Sequence, residues 1–265
     1  MNKNLFSNNT FLRVLSSIVL IAISLFCVLE SGIFLLLCIS ILIFLLTFEY
    51  ISFTETIETF FLKTTKSLFN VIIFLLSTLG EGTLSSSINF SILFYIIVFL
   101  LYFFQKNISR VNKVYVLIGP IYLCLPFIFL YNIRLSDYGI NIILWFLLIV
   151  WSTDSFSYIG GKIFAGKKLI VSLSPNKTWS GFICGILAAC IISIICFYIK
   201  NYNVLFGLIY GFVIALSTQF GDLFESWIKR KHLIKDSGIL IPGHGGFLDR
   251  LDGLLFSSII LYVGF

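Results

Sequence analysis

Apolar runs close to the length of a membrane crossing occupy most of this chain, and that repetition restricts the fold more than any other feature. They fall at about 14–29, 32–48, 68–80, 89–104, 114–131, 138–153, 182–199, 204–221 and 252–265. A helix crossing the hydrocarbon core needs about 20 mostly apolar residues, and within lipid each segment must satisfy its own backbone polar groups. The expectation is therefore an all-α polytopic membrane protein with about nine transmembrane helices. Composition agrees: 59% of residues are hydrophobic, 17% aromatic and 11% charged, against roughly 25% charged in an ordinary soluble domain. The runs leave no room for a sizeable soluble domain, and no repeat or Pro- or Ser-rich linker divides them. Residues 1–265 are read as one integral-membrane domain, with N-terminal helices of unassigned role over 1–135 and catalytic helices and loops over 138–265.

The first run follows Lys3 and Arg13 as a secretory signal would, but Glu30-Ser31-Gly32 leads straight into the second run with no small-residue cleavage site. A retained helical hairpin is expected. The net charge of +6 need not mean nucleic acid, because excess Lys and Arg in a polytopic protein records orientation. With the N-terminus in the cytoplasm, every Lys and Arg except Arg134 and Lys200 falls inside. That asymmetry explains the basic balance with no nucleic-acid partner. The 6 cysteines all lie within apolar runs and form no CxxC pair, so they are read as small buried hydrophobes rather than metal or redox groups. Richness in Ile, Phe, Asn and Lys suggests an AT-rich genome and a bacterial inner (cytoplasmic) membrane, with an organelle membrane as the alternative.

Charge concentrates in two inside loops, Thr153 to Gly181 and about Asp222 to Leu251. The second contains SWIKRKHLIKDSGILIPGHGGFLDRLDG, residues 226–253. Its acids (Asp222, Glu225, Asp236, Asp249, Asp252) are matched by Lys229, Arg230, Lys231, Lys235 and Arg250, a balance that suits a site for both metal ions and phosphates. Carboxylate oxygens are the ligands Mg²⁺ prefers, and it commonly takes one or two of them plus substrate phosphates. Lys and Arg then meet the remaining phosphate oxygens.

If the eighth run stays helical past Gly221, Asp222 and Ser226 share one face and Glu225 and Lys229 pair on another. Asp249 and Asp252 share a face near the start of the ninth helix, where negative charge is favoured by the helix dipole. The PGHGG segment, Pro242 to Gly246, offers a backbone able to approach a ligand and present N–H groups to anions. His244 faces either substrate or a neighbouring carboxylate, the latter a structural role. Lys231 and His232 are read as facing lipid headgroups. A plain interfacial loop is the competing reading for the whole segment, but carboxylates gathered at two span ends around a glycine-rich link favour a site.

These residues resemble the phosphatidate cytidylyltransferase (CDP-diacylglycerol synthase) family: Ser226, Lys229-Arg230, Lys235-Asp236, Pro242, His244-Gly245-Gly246, Asp249-Arg250 and Asp252, with internal spacings intact. A second block, TDSFSYIGGKIFAGKKLIVSLSPNKTWSG at 153–181, is similar to the family's other loop through Asp154, Gly160, Lys177, Thr178, Trp179 and Gly181. It departs at Asn176 and Ser180, where the family usually has Lys and Glu. The N-terminal half resembles the family only in general hydropathy.

The resemblance implies that CTP and phosphatidate give CDP-diacylglycerol and pyrophosphate, with Mg²⁺ required, room for a second cation, and a homodimer among membrane lipids. Two anions must meet, so the expected chemistry is positioning and charge neutralisation. Asp222 and Asp249 would hold metal, with Asp252 as a supporting acid. Ser226, Lys229, Arg230, Lys235 and Lys177 would bind phosphates, while Asp154 would orient a lysine or the ribose. His244, Gly245, Gly246 and Arg250 complete the expected substrate-binding set. A CTP-dependent lipid kinase of the polyprenol type and an ion-coupled transporter are the rival readings.

Overall fold

The computed structural model describes residues 8–30, 32–55, 59–79, 110–238, 240 and 245–264. Eight helices occur among them: α1 (Asn8–Glu30), α2 (Gly32–Thr54), α3 (Phe60–Leu79), α4 (Arg110–Leu135), α5 (Gly139–Phe164), α6 (Trp179–Ile199), α7 (Val204–Lys231) and α8 (Leu248–Gly264). A two-stranded antiparallel hairpin, β1 (Lys168–Ile170) and β2 (Ser174–Thr178), separates α5 from α6 and pairs Lys168 with Thr178 and Ile170 with Ser174. Of the described helices, 6 are long and apolar enough to cross a membrane, namely α2 to α7. The protein is a predominantly α-helical polytopic membrane protein. The expected run at 89–104 lies outside the described residues.

Two expected boundaries move. The run at 68–80 is the end of a helix that begins at Phe60. The sequence hid its first turns because Lys63 and Lys66 interrupt the apolar pattern, yet both lysines are accommodated: Lys66 Nζ lies 2.5 Å from Glu55 Oε2 and Lys63 Nζ 3.5 Å from Ser52 Oγ. The 153–181 loop is also shorter than expected, because α5 continues helical to Phe164 and the hairpin occupies 168–178.

The chain forms two compact units, Met1–Tyr131 with Asp236–Arg250, and Asn132–Lys235 with Leu251–Phe265. In the first, Gly32 opens α2 at φ +55°, a left-handed conformation that suits glycine. Ile43, Leu46 and Tyr50 of α2 are buried, as are Ile73 and Phe74 of α3. Several polar groups inside this unit are hydrogen-bonded, as a low-dielectric interior favours. Asn70 Nδ2 donates to Thr47 Oγ1 at 3.1 Å, and Tyr50 Oη donates to the carbonyl of Tyr115 at 3.0 Å.

In the second unit, small residues let helices approach closely, the usual device where lipid supplies no hydrophobic drive between them. A Cβ on Gly160 of α5 would come within 2.5 Å of Cys184 Cβ on α6, and one on Gly181 within 2.5 Å of the Ser157 carbonyl oxygen. Trp145 Nε1 donates to Ser193 Oγ at 3.2 Å, and Gln219 Nε2 to the Phe182 carbonyl at 2.9 Å. The outer face of α6 carries Ile183, Leu187, Ile191 and Ile195, all exposed. Their four-residue spacing makes one apolar stripe, the surface that lipid tails solvate.

Candidate active site

The hairpin places the first charged group of the site. Thr178 ends β2 in an extended conformation (φ −122°, ψ 155°) and caps α6, its Oγ1 accepting from Gly181 N at 3.2 Å. This is an ordinary use of Thr at a helix start, where the first N–H groups have no helical partner. Trp179 N donates back to the Lys167 carbonyl at 3.0 Å. With both ends fixed, Lys177 reaches α7, where its Nζ sits 2.7 Å from Asp222 Oδ2. The two side chains keep 31% and 22% exposure, enough for an incoming anion to contact the ammonium.

Helix α7 continues to Lys231, so the condition set by the sequence is met and Asp222 and Ser226 lie one turn apart. Glu225 and Lys229 pair on α7 at 3.2 Å, with side-chain exposures of 1% and 10% for the acid and the base. Two glycines then let α8 come against α7: a Cβ on Gly221 would lie 2.6 Å from the Asp252 carbonyl oxygen, and one on Gly253 2.7 Å from Thr218 Cγ2. That approach sets the Asp252 carboxyl close enough to Asp222 and Glu225 for the three negative charges to act on one another.

Neighbouring carboxylates repel when ionised, so a cation or a shared proton among them relieves the charge. An all-oxygen set of this kind fits Mg²⁺, which keeps waters and completes its shell with substrate phosphates. Among the described residues no group of three or more His, Cys, Asp or Glu is arranged to hold a metal ion by itself.

Arg230, assigned by the sequence to phosphate, also makes two backbone contacts. Its Nε donates to the Leu173 carbonyl at 3.2 Å and its Nη1 to the Ile234 carbonyl at 2.9 Å. The guanidinium thereby ties the tip of the β hairpin to the turn that follows α7.

In the first unit, Asp249 stands in the first turn of α8. Its Oδ2 accepts from Ser237 N at 2.9 Å and Gly246 N at 3.0 Å, folding the glycine-rich segment onto the helix start. Gly245 holds φ +88°, a conformation open to glycine at no steric penalty. A buried carboxylate that the sequence reading did not single out joins this cluster. Glu49, near the end of α2, accepts from Phe247 N and Leu248 N, each at 3.0 Å, and from Ser237 Oγ at 3.3 Å. The available signal was an acid set between Phe48 and Tyr50 at the end of a strongly apolar run, since ionisable residues in such places usually have a partner.

The second unit therefore gathers Lys177, Asp222, Lys229, Arg230 and Asp252, with Ser226 half-buried one turn along α7 from Asp222. Asp249, Gly245 and Gly246 belong to the first unit. Asp154, Lys235 and Arg250 are exposed, while Pro242 and His244 lie outside the described residues. Of the two departures from the family pattern, Asn176 is exposed, and Ser180 donates to the Ala165 carbonyl and shares a hydrogen bond with Thr178 Oγ1 at 3.0 Å.

The chain is 40% identical over 164 residues to a Rickettsia felis protein named phosphatidate cytidylyltransferase, covering 59% of this chain and 72% of that one. A Rickettsia bellii protein of the same name is 43% identical over 166 residues, 59% and 71% of the two chains. One from Staphylococcus aureus is 38% identical over 154 residues, 57% and 58% of the two. The profile of the Cytidylyltransferase family matches residues 11–265, and the chain belongs to that family.

Proposed function

We infer that this protein is a phosphatidate cytidylyltransferase, transferring the cytidylyl group of CTP to phosphatidate for phospholipid biosynthesis. The observation that carries the reading is the Lys177–Asp222 pair, which joins the two motif loops at one point. It stands alongside relatives of that name at 37% to 43% identity. In the reaction a phosphate oxygen of phosphatidate attacks the α-phosphorus of CTP, a new P–O–P linkage forms, the bond from the α-phosphorus to its bridging oxygen breaks, and pyrophosphate leaves. The lipid phosphate carries about −1.5 to −2 charge near neutrality, so a strong base is not required; the difficulty is bringing two anions together.

Lys177 and Lys229 supply positive charge toward phosphate oxygens, and Ser226 a hydrogen bond. Arg230 holds the hairpin that delivers Lys177. Asp222 and Asp249 are the carboxylates assigned to Mg²⁺, with Asp252 supporting Asp222; the ion, when bound, neutralises phosphate charge. Asp154, Lys235, Arg250, Gly245, Gly246 and His244 are assigned to substrate binding. The same reading takes nine spans, a cytoplasmic N-terminus, both motif loops on the cytoplasmic side of a bacterial inner membrane, and a homodimer. Its support is the charge asymmetry of the connecting loops.

The test is turnover of α-labelled CTP with phosphatidate by purified protein in detergent micelles. CDP-diacylglycerol and pyrophosphate, lost on chelating Mg²⁺ and restored by adding it back, are expected. CDP with a phosphorylated lipid alcohol in a wider substrate screen would instead identify a kinase.

A further inference from the structure

Glu49 is buried, at 3% exposure, in the half of the chain to which the sequence assigns no role. Its two oxygens divide between consecutive amides: Oε1 takes Phe247 N and Oε2 takes Leu248 N, both at 3.0 Å. The preceding amide, Gly246 N, goes to Asp249 Oδ2. Three successive N–H groups entering α8 are thus bound by two carboxylates, one local and one from a helix nearly two hundred residues earlier in the chain. The first amides of a helix have no partner within it, and bonds to an ionised acceptor are shorter and stronger than neutral ones. The backbone is shaped to admit the acid: a Cβ on Gly246 would lie 2.6 Å from Glu49 Oε2, and one on Gly238 2.8 Å from Glu49 Oε1.

We propose that Glu49 is a positioning residue for cytidylyl transfer, a clamp on the Phe247 and Leu248 amides that fixes where α8 begins and so the direction in which Asp249 and Arg250 leave the glycine loop. The proposal rests on the function assigned above. Glu49 touches the loop backbone, so its loss acts through the placement of motif residues, and a misplacement of about 1 Å at reacting groups can lower a rate a hundredfold.

The experiment compares wild type, Glu49→Gln, Gly238→Ala and the double variant in the CTP and phosphatidate assay, with amide hydrogen exchange of the 245–250 segment measured on the same samples. Glu49→Gln keeps the shape but turns an NH₂ toward a backbone N–H. The expected result is a kcat lowered at least about tenfold with KM for CTP within about threefold, exchange accelerated at Phe247 and Leu248, and exchange in α6 unchanged.

Gly238→Ala disturbs the same carboxylate without altering charge and should lower kcat in the same way, with the double variant no worse than the poorer single one. Wild-type kcat in Glu49→Gln, or exchange accelerated equally in α6, overturns the clamp. Should Glu49→Gln fail to fold, Gly238→Ala decides: a lowered kcat supports the proposal and an unchanged one ends it. An inactive wild type would remove the reaction reading and this proposal together, whereas an active wild type beside an unaffected Glu49→Gln removes this proposal alone.

Discussion

Lys177 Nζ sits 2.7 Å from Asp222 Oδ2, joining a strand of the β hairpin to the motif-bearing end of α7 across 45 residues of sequence. Both side chains remain partly exposed, so screening keeps the pair's contribution to stability small, about 0–1 kcal/mol. In the proposed reaction their value lies in placing opposite charges where phosphate and cation meet. Lys177→Met and Asp222→Asn should therefore each leave the thermal midpoint within a few degrees of wild type while lowering kcat/KM about a hundredfold or more. Thermal unfolding in detergent and steady-state kinetics on the same preparations check both halves. A midpoint that falls in step with activity would reduce the pair to a structural link.

Glu225 and Lys229 present the opposite case, because their side chains are only 1% and 10% exposed. Removing one member strands a buried charge, which costs about 3–5 kcal/mol, whereas replacing both with apolar groups is often neutral. Lys229→Met should destabilise strongly. Glu225→Leu combined with Lys229→Met should recover most of the lost stability yet stay inactive, since the ammonium assigned to phosphate is absent. Recovery of activity along with stability would remove Lys229 from the site.

How far the sequence reached depends on whether partners are close along the chain. The i,i+4 spacing of Glu225 and Lys229 and the placement of Asp249 and Asp252 at one helix start were legible because helix geometry converts short spacings into shared faces. The membrane class was legible because hydrophobic length is a local property. The first turns of α3 were missed because Lys63 and Lys66 broke the apolar pattern, and Glu55 and Ser52, their partners, sit on the preceding segment. The tie from Arg230 to Leu173 and the cap from Glu49 to α8 span 57 and up to 199 residues. No periodicity encodes such contacts, so the sequence did not foresee the tie made by Arg230 and passed over Glu49.

Close packing of α7 against α8 gives a third prediction. A Cβ at Gly221 would meet the Asp252 carbonyl oxygen at 2.6 Å and Phe256 Cβ at 2.8 Å. Neither the backbone oxygen nor the β-carbon can rotate away, so Gly221→Ala should force the helices apart and destabilise by about 1–3 kcal/mol. The Asp222–Asp252 contact would open with them. The expected signature is a rise in the Mg²⁺ concentration needed for half-maximal turnover beyond any change in KM for CTP, read from metal titrations at saturating CTP.

Arg230 donates to two carbonyls at once, Leu173 at the hairpin tip and Ile234 beyond α7. A lysine keeps the charge but offers a single point of attachment in place of the planar fork. Arg230→Lys should thus preserve the charge of the site and release the hairpin, raising cleavage by a protease at the exposed Val171–Ser172 segment. Because the hairpin delivers Lys177, kcat/KM should fall about tenfold or more with little change in thermal midpoint. Limited proteolysis followed by mass analysis, run beside kinetics, separates this from direct phosphate binding. Lost activity with hairpin cleavage unchanged would assign Arg230 to substrate instead.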